Sequence, residues 1–210
     1  MDYPNAQKGI KKIFNYEVIQ IVIGLLAIMI TVLSIMVFDG NKVLAGNKVA
    51  VGTGLVIIAA GLAIVILAII SIPILLKGLK LASKDEPDNF KTAFYASLIV
   101  FIGSILNGLS SSVEVIGNYS KYINAAVSGT TLLMFMCIIF GIRSIADQIG
   151  RPDIVKLSLP IIVITIAISF VSIIGRFLED STMEVFSTIL SLVSYVIYLI
   201  YLSKAKKMFD

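Results

Sequence analysis

Charged residues in this chain fall in clusters separated by long runs that contain none. Six stretches lack Asp, Glu, Lys and Arg altogether: 18–38, 50–76, 92–113, 122–142, 157–175 and 185–203. A helix rises about 1.5 Å per residue, so about 20 residues cross the hydrocarbon core of a bilayer, about 30 Å thick. Each stretch meets that length. The pattern predicts an all-α polytopic membrane protein, one membrane domain over 1–210, with six transmembrane helices arranged as three consecutive hairpins.

The residues between the runs orient the chain. With six crossings both termini share a side. Lys8, Lys11 and Lys12 precede the first run, and Lys77, Lys80, Lys84 and Lys91 separate the second from the third. Arg143, Arg151 and Lys156 separate the fourth from the fifth, and Lys204, Lys206 and Lys207 follow the sixth. These are 13 of the 17 basic residues; Lys42, Lys48, Lys121 and Arg176 lie on the other side. Short loops rich in Lys and Arg stay in the cytoplasm, so both termini are expected there. Tyr16, Tyr95, Tyr119, Tyr122 and Tyr198 stand near run ends, where amphipathic rings prefer to sit. The first run is longer than the apolar core of a secretory signal and no small-residue cleavage site follows it, so it is expected to be the first span. No lipidation signal is expected at either end.

Two inner loops share a pattern. Pro87-Asp88-Asn89-Phe90-Lys91 precedes the third run and Pro152-Asp153-Ile154-Val155-Lys156 the fifth. The phrases Gly78-Leu79-Lys80 and Gly141-Ile142-Arg143 also correspond, and Gly9-Ile10-Lys11 is a third copy. We read 87–146 and 152–207 as two copies of one hairpin, with 9–80 a divergent first copy. Pro and Asp suit a first helical turn, because Pro needs no donor there and Asp meets the positive end of the helix dipole. Pro160 is expected in the first turn of the fifth span, and Pro73 is expected to kink the second.

Polar residues inside the runs are almost all Ser and Thr, in pairs three apart: Thr31 and Ser34, Ser104 and Asn107, Ser128 and Thr131, Ser169 and Ser172, Ser191 and Ser194. A spacing of three keeps each pair on one helix face. Counting from the run ends puts all five pairs at similar depth, just outside the midplane. The second span offers Gly52, Gly54 and Gly61 instead. Two readings follow. One is packing, with hydroxyls bonding between helices or to their own carbonyls. The other is a shallow polar cavity open to the outside, with Glu114 and Arg176 at its mouth.

Composition narrows the chemistry. Apolar residues make up 58% and charged residues 14%, with mean hydropathy +1.01. Soluble domains carry about 25% charged residues, so this chain cannot cover a water-facing surface. There is no His, which removes His bases and His metal ligands. No Asp, Glu, Lys or Arg lies deep in a run, which argues against proton coupling and intramembrane acid catalysis. A serine nucleophile would lack a base. Cys137 is the only cysteine, so no intrachain disulfide can form. We expect no enzyme activity, no cofactor and no metal. The net charge of +4 follows from the loop asymmetry. It points to anionic headgroups at the inner loops and not to nucleic acid.

The run Ala82-Ser83-Lys84-Asp85-Glu86 with Phe90-Lys91-Thr92-Ala93, and the run Gly141-Ile142-Arg143-Ser144-Ile145-Ala146-Asp147 ending at Gly150, resemble loops of uncharacterised six-span membrane proteins of Gram-positive anaerobic bacteria. The resemblance implies the same layout in a bacterial plasma membrane and transfers no functional residue. The layout is also similar to the substrate-binding components of energy-coupling-factor vitamin transporters. Those dock a partner through small residues four apart on the first helix; Gly24 and Ile28 stand at that spacing here and break the pattern. The expected role is a non-enzymatic membrane scaffold or regulatory subunit, working with a membrane-protein partner or a second copy of the chain. The alternative is a facilitative carrier or binding subunit for a small uncharged solute, with the Ser/Thr/Asn layer as its site.

Overall fold

A computed structural model of the chain describes residues 3–38, 48–109, 113, 117–178 and 181–209; the side chains of 35–38, 48–52, 172–178, 181–189 and 191 lie outside that description. Six long helices run through the described residues: α1 (Pro4–Phe38), α2 (Lys48–Ala82), α3 (Pro87–Leu109), α4 (Ser120–Gln148), α5 (Pro152–Leu178) and α6 (Ser181–Lys206). No strand occurs among the described residues. Helices α1 to α5 are each long and apolar enough to cross a membrane. In the sixth predicted span, 185–203, the side chains of 185–189 and 191 lie outside the description.

The helices are longer than the charge-free runs that predict them. Helix α1 has 35 residues and begins at Pro4, well before residue 18. At about 1.5 Å per residue it is about 52 Å long, more than a bilayer core requires. Lys8, Lys11 and Lys12 therefore lie on a helix and not in a loop, as do Lys77 and Lys80 on α2. The reason is physical. Charge limits how deep a residue can sit in hydrocarbon, while Lys, Gln and Ala favour helix in water. The extensions are also amphipathic. Ala6, Ile10 and Ile13 recur at helical spacing and are fully buried, as are Leu79 and Ala82 on α2.

Both P-D-x-x-K motifs open a helix. Pro87 and Pro152 are the first residues of α3 and α5, and Asp88 and Asp153 lie in their first turns. The early start of α5 overturns one expectation. Pro160 lies inside the helix, two turns past its start, and not in its first turn. Its ring leaves the Lys156 carbonyl without the usual amide four residues on. Helix α2 continues through Pro73.

The chain forms two compact units, Met1–Phe14 with Leu76–Asp210, and Asn15–Leu75. In the first unit, α3 packs on α4, α4 on α5, and α5 on α6. Its core follows the same stripe logic: Phe90, Ala93 and Ala96 on α3; Ile138, Ile142 and Ile145 on α4; Ile154 and Ile161 on α5; Tyr198, Leu202 and Ala205 on α6. Tyr198 meets the Phe135 ring edge to face at 4.9 Å, and the Tyr201 hydroxyl donates to the Ile139 carbonyl at 3.3 Å. In the second unit, Gln20 Nε2 donates to Ser71 Oγ at 3.1 Å, and Ser71, itself buried, donates to the Ala68 carbonyl.

Mid-helix apolar side chains point the other way. Leu25, Ile28 and Val32 on α1, Ile99 and Ile102 on α3, and Val163 and Phe170 on α5 are all exposed. Soluble proteins rarely expose apolar surface on this scale. Such a surface suits hydrocarbon, where no water is displaced by leaving it bare.

Candidate functional site

A cluster of specific polar contacts in the first unit lies where the N-terminal turns of α1, the α2–α3 turn, the α4–α5 turn and the C-terminal tail meet. The α2–α3 turn shows how. Ser83 closes α2, its amide bonding the Leu79 carbonyl at 2.9 Å and its hydroxyl the Lys80 carbonyl at 3.0 Å. Two adjacent acids then cap two different helices. Asp85 Oδ2 accepts from the amides of Asn5 at 2.9 Å and Ala6 at 2.7 Å, while Oδ1 accepts from Asn5 Nδ2 at 2.9 Å. These are unsatisfied donors of the first turn of α1, and a carboxylate there also meets the helix dipole. Glu86 turns to α3, accepting from the Asn89 amide at 3.2 Å, the Phe90 amide at 3.4 Å and Asn89 Nδ2 at 2.7 Å. Glu86 is buried, and these donors satisfy its carboxyl oxygens.

The α4–α5 turn is a Schellman closure. Gly150 has φ 72°, its amide bonds the Asp147 carbonyl at 3.2 Å, and the Arg151 amide reaches the Ala146 carbonyl at 2.8 Å. Arg151 then forks onto Asp153, Nε to Oδ1 at 3.1 Å and Nη2 to Oδ2 at 3.3 Å. Its Nη1 donates to the Met208 carbonyl at 3.2 Å, which ties in the C-terminal tail. The hydrogen bond to Arg151 holds the Asp153 carboxyl below its ordinary range, and the same bond raises Arg151. The Tyr3 hydroxyl donates to Gln148 Oε1, and Lys206 Nζ stands 4.2 Å from the centre of the Phe14 ring.

An open recess of about 260 Å³ lies beside this junction, lined by Asn89 from α3 and Phe140, Arg143, Ser144 and Asp147 from α4. The sequence shows Asn89, Arg143, Ser144 and Asp147 only as parts of loop motifs, and Phe140 only as one apolar position of the fourth run. A charged residue closing a long charge-free run, as Arg143 does, is the one signal that could have drawn attention to it.

The polar layer is placed as follows. Thr31 is exposed and donates to the Ala27 carbonyl of its own helix at 3.0 Å. Ser104 is exposed and donates to the Val100 carbonyl at 2.8 Å; Thr131 is half-buried and donates to the Val127 carbonyl at 2.7 Å. Ser34, Asn107, Ser128 and Ser169 are half-buried. Ser194 is buried and stands 3.5 Å from Thr165 Oγ1, an approach between α6 and α5. The side chains of Ser172 and Ser191, and of Glu114 and Arg176 at the expected mouth, lie outside the described residues. Thr31 and Ser34 belong to the second unit and the other pairs to the first. One charged side chain that sequence reasoning passed over is Glu17, buried one residue before the first run.

The five apolar helices suit a multi-pass protein embedded in a membrane. No protein-family model, curated protein or solved structure matches the chain.

Proposed function

We propose that the chain is an integral protein of a bacterial plasma membrane, crossing it six times with both termini in the cytoplasm. Its role in this reading is that of a non-enzymatic scaffold or regulatory subunit. The observation that supports it is where the side-chain order lies. Capping acids, the Arg151 fork and the Tyr3 bond knit four chain segments at the basic end, while Thr31, Ser104 and Thr131 bond carbonyls of their own helices. A protein that presents one fixed surface to a partner needs order at that surface. A carrier needs polar groups turned onto a shared path.

Thiol accessibility in intact cells tests this. In a Cys137→Ala background, single substitutions Ser104→Cys, Asn107→Cys, Ser169→Cys and Ser194→Cys meet a membrane-impermeant thiol reagent, with Lys42→Cys and Lys204→Cys as outer and inner controls. The proposal expects labelling at position 42 alone. Labelling within the layer would favour the carrier of a small uncharged solute. Labelling at position 204 would overturn the topology.

A further inference from the structure

The recess beside the α3–α4 junction has the makings of a headgroup site. Phe140, Arg143, Ser144 and Asp147 recur at three and four residues, so they share one face of α4. Phe90 seats the start of α3 against that helix at Gly141, which brings Asn89 to the rim. Arg143 is half-buried and, among the described residues, makes no ion pair or side-chain hydrogen bond. A guanidinium carries five donors and keeps its charge at every physiological pH. Ser144 Oγ accepts from Gln148 Nε2 at 3.3 Å, which leaves its O–H to donate. Asn89 donates its backbone amide and one Nδ2 hydrogen to Glu86, and its Oδ1 accepts no described bond. The recess is therefore lined by donors, Arg143 and the Ser144 hydroxyl, and by two acceptors, Asn89 Oδ1 and the exposed Asp147 carboxylate.

The size and setting narrow the ligand. Pockets that enclose a whole drug-sized molecule hold about 300–1,000 Å³. This recess is smaller and open, so it grips one end of a ligand. The charge-free run of α4 ends at Ile142, and Phe140, one turn before Arg143, exposes its ring on the apolar side. A ligand here is anionic at Arg143 and apolar beyond Phe140. Asp147 disfavours a second negative charge and suits a hydroxyl.

We propose that this recess binds the phosphodiester headgroup of an anionic phospholipid. Arg143 and Ser144 hold the phosphate oxygens, while Asn89 and Asp147 accept hydrogen bonds from the terminal hydroxyls of a phosphoglycerol. The inference rests on the membrane reading above. Fractionation of lysed cells without detergent tests that reading separately: a soluble chain would sink both, a membrane-bound chain leaves the site to be judged alone.

The test is lipid retention by the purified full chain in micelles containing equal phosphatidylglycerol, phosphatidic acid and phosphatidylcholine, followed by native mass spectrometry. The wild-type chain is expected to retain phosphatidylglycerol preferentially. Arg143→Gln should weaken that retention about tenfold, the scale of one charge-assisted hydrogen bond. Lys156→Gln, which removes an equal charge outside the recess, should leave retention within about twofold. Asp147→Asn, at an exposed position, should relax the preference for phosphatidylglycerol over phosphatidic acid. Equal losses from the Arg143 and Lys156 variants would mean diffuse attraction and overturn the site. Stabilisation by inorganic phosphate that Arg143→Gln abolishes, with no lipid preference, would make it a site for soluble phosphate and overturn the lipid assignment.

Discussion

Gly9 and Gly78 meet backbone to backbone where the first turns of α1 cross the last turns of α2. A Cβ at Gly9 would stand 2.6 Å from the Gly78 carbonyl oxygen and 2.7 Å from the Ala82 nitrogen; a Cβ at Gly78 would stand 3.0 Å from the Gly9 carbonyl oxygen. Two of the three Gly-[Ile/Leu]-[Lys/Arg] phrases in the chain thus face each other, and neither partner can be displaced without moving a helix. Small residues at such crossings let helices approach closely.

Gly9→Ala is therefore expected to destabilise the chain by about 1–3 kcal/mol, the scale of overpacking in a filled contact. Gly24→Ala, whose added carbon meets nothing within 4 Å, should be neutral or slightly stabilising. Thermal unfolding of both variants in detergent, followed by circular dichroism, separates local crowding from a general effect of glycine replacement.

The third phrase uses its glycine differently. A Cβ at Gly141 would come within 2.7 Å of the Phe90 ring, which is fully buried. Gly141→Ala should cost about 1–3 kcal/mol by itself. Combined with Phe90→Leu it should cost less than the sum of the two, because the smaller side chain vacates the space. Additive losses in a double-mutant cycle would show that Phe90 does not set the limit.

Asp85 is the long-range cap of α1. Asp85→Ala should cost about 0.5–2 kcal/mol and fray the first turn at Asn5 and Ala6. Hydrogen exchange should show faster amides there while the Asn89 and Phe90 amides, capped by Glu86, keep their protection. Glu86→Ala should do the reverse. Loss of protection at both helix starts in either variant would contradict separate capping.

Gly150 holds a left-handed conformation that closes α4. Gly150→Ala should cost about 1 kcal/mol, since an L side chain is strained there even though space is open. Gly129→Ala, also in open space but on helical backbone, is the control.

Acid should loosen the C-terminal tie. The Asp153 carboxyl sits below its ordinary value of 3.8 because Arg151 hydrogen-bonds its charged form. A depressed folded value means that the unfolded chain takes up the proton first as pH falls. The contribution is complete above the ordinary value and is lost as pH drops below it. Both groups are exposed, so salt should weaken the tie as well. Asp153→Asn should remove both dependences, read as protease cleavage within the tail beyond residue 203 from pH 5 down to pH 3.

The spans were legible because hydrocarbon imposes a one-dimensional rule. A charge is costly at mid-depth whatever surrounds it, so run length alone locates α1 to α5. Helix starts at Pro87 and Pro152 were legible for an equally local reason, since a first turn has no use for the missing donor. Charges mark the end of hydrocarbon and not the end of helix, so Lys8 to Lys12 read as loop, and the fifth helix reads as starting at Leu157, which puts Pro160 in a first turn that belongs to Pro152. Which helix Asp85 and Glu86 would cap, that Gly9 would meet Gly78, and that Arg143 would share a recess with Asn89 follow from packing between distant segments. Spacing along one helix says which residues share a face, and only the tertiary structure decides what that face meets. The hydroxyls show the same division. Their pairing by threes was visible in the chain, but a Ser or Thr can satisfy itself on its own carbonyl, as Thr31, Ser104 and Thr131 do, or reach a neighbour, as Ser194 does.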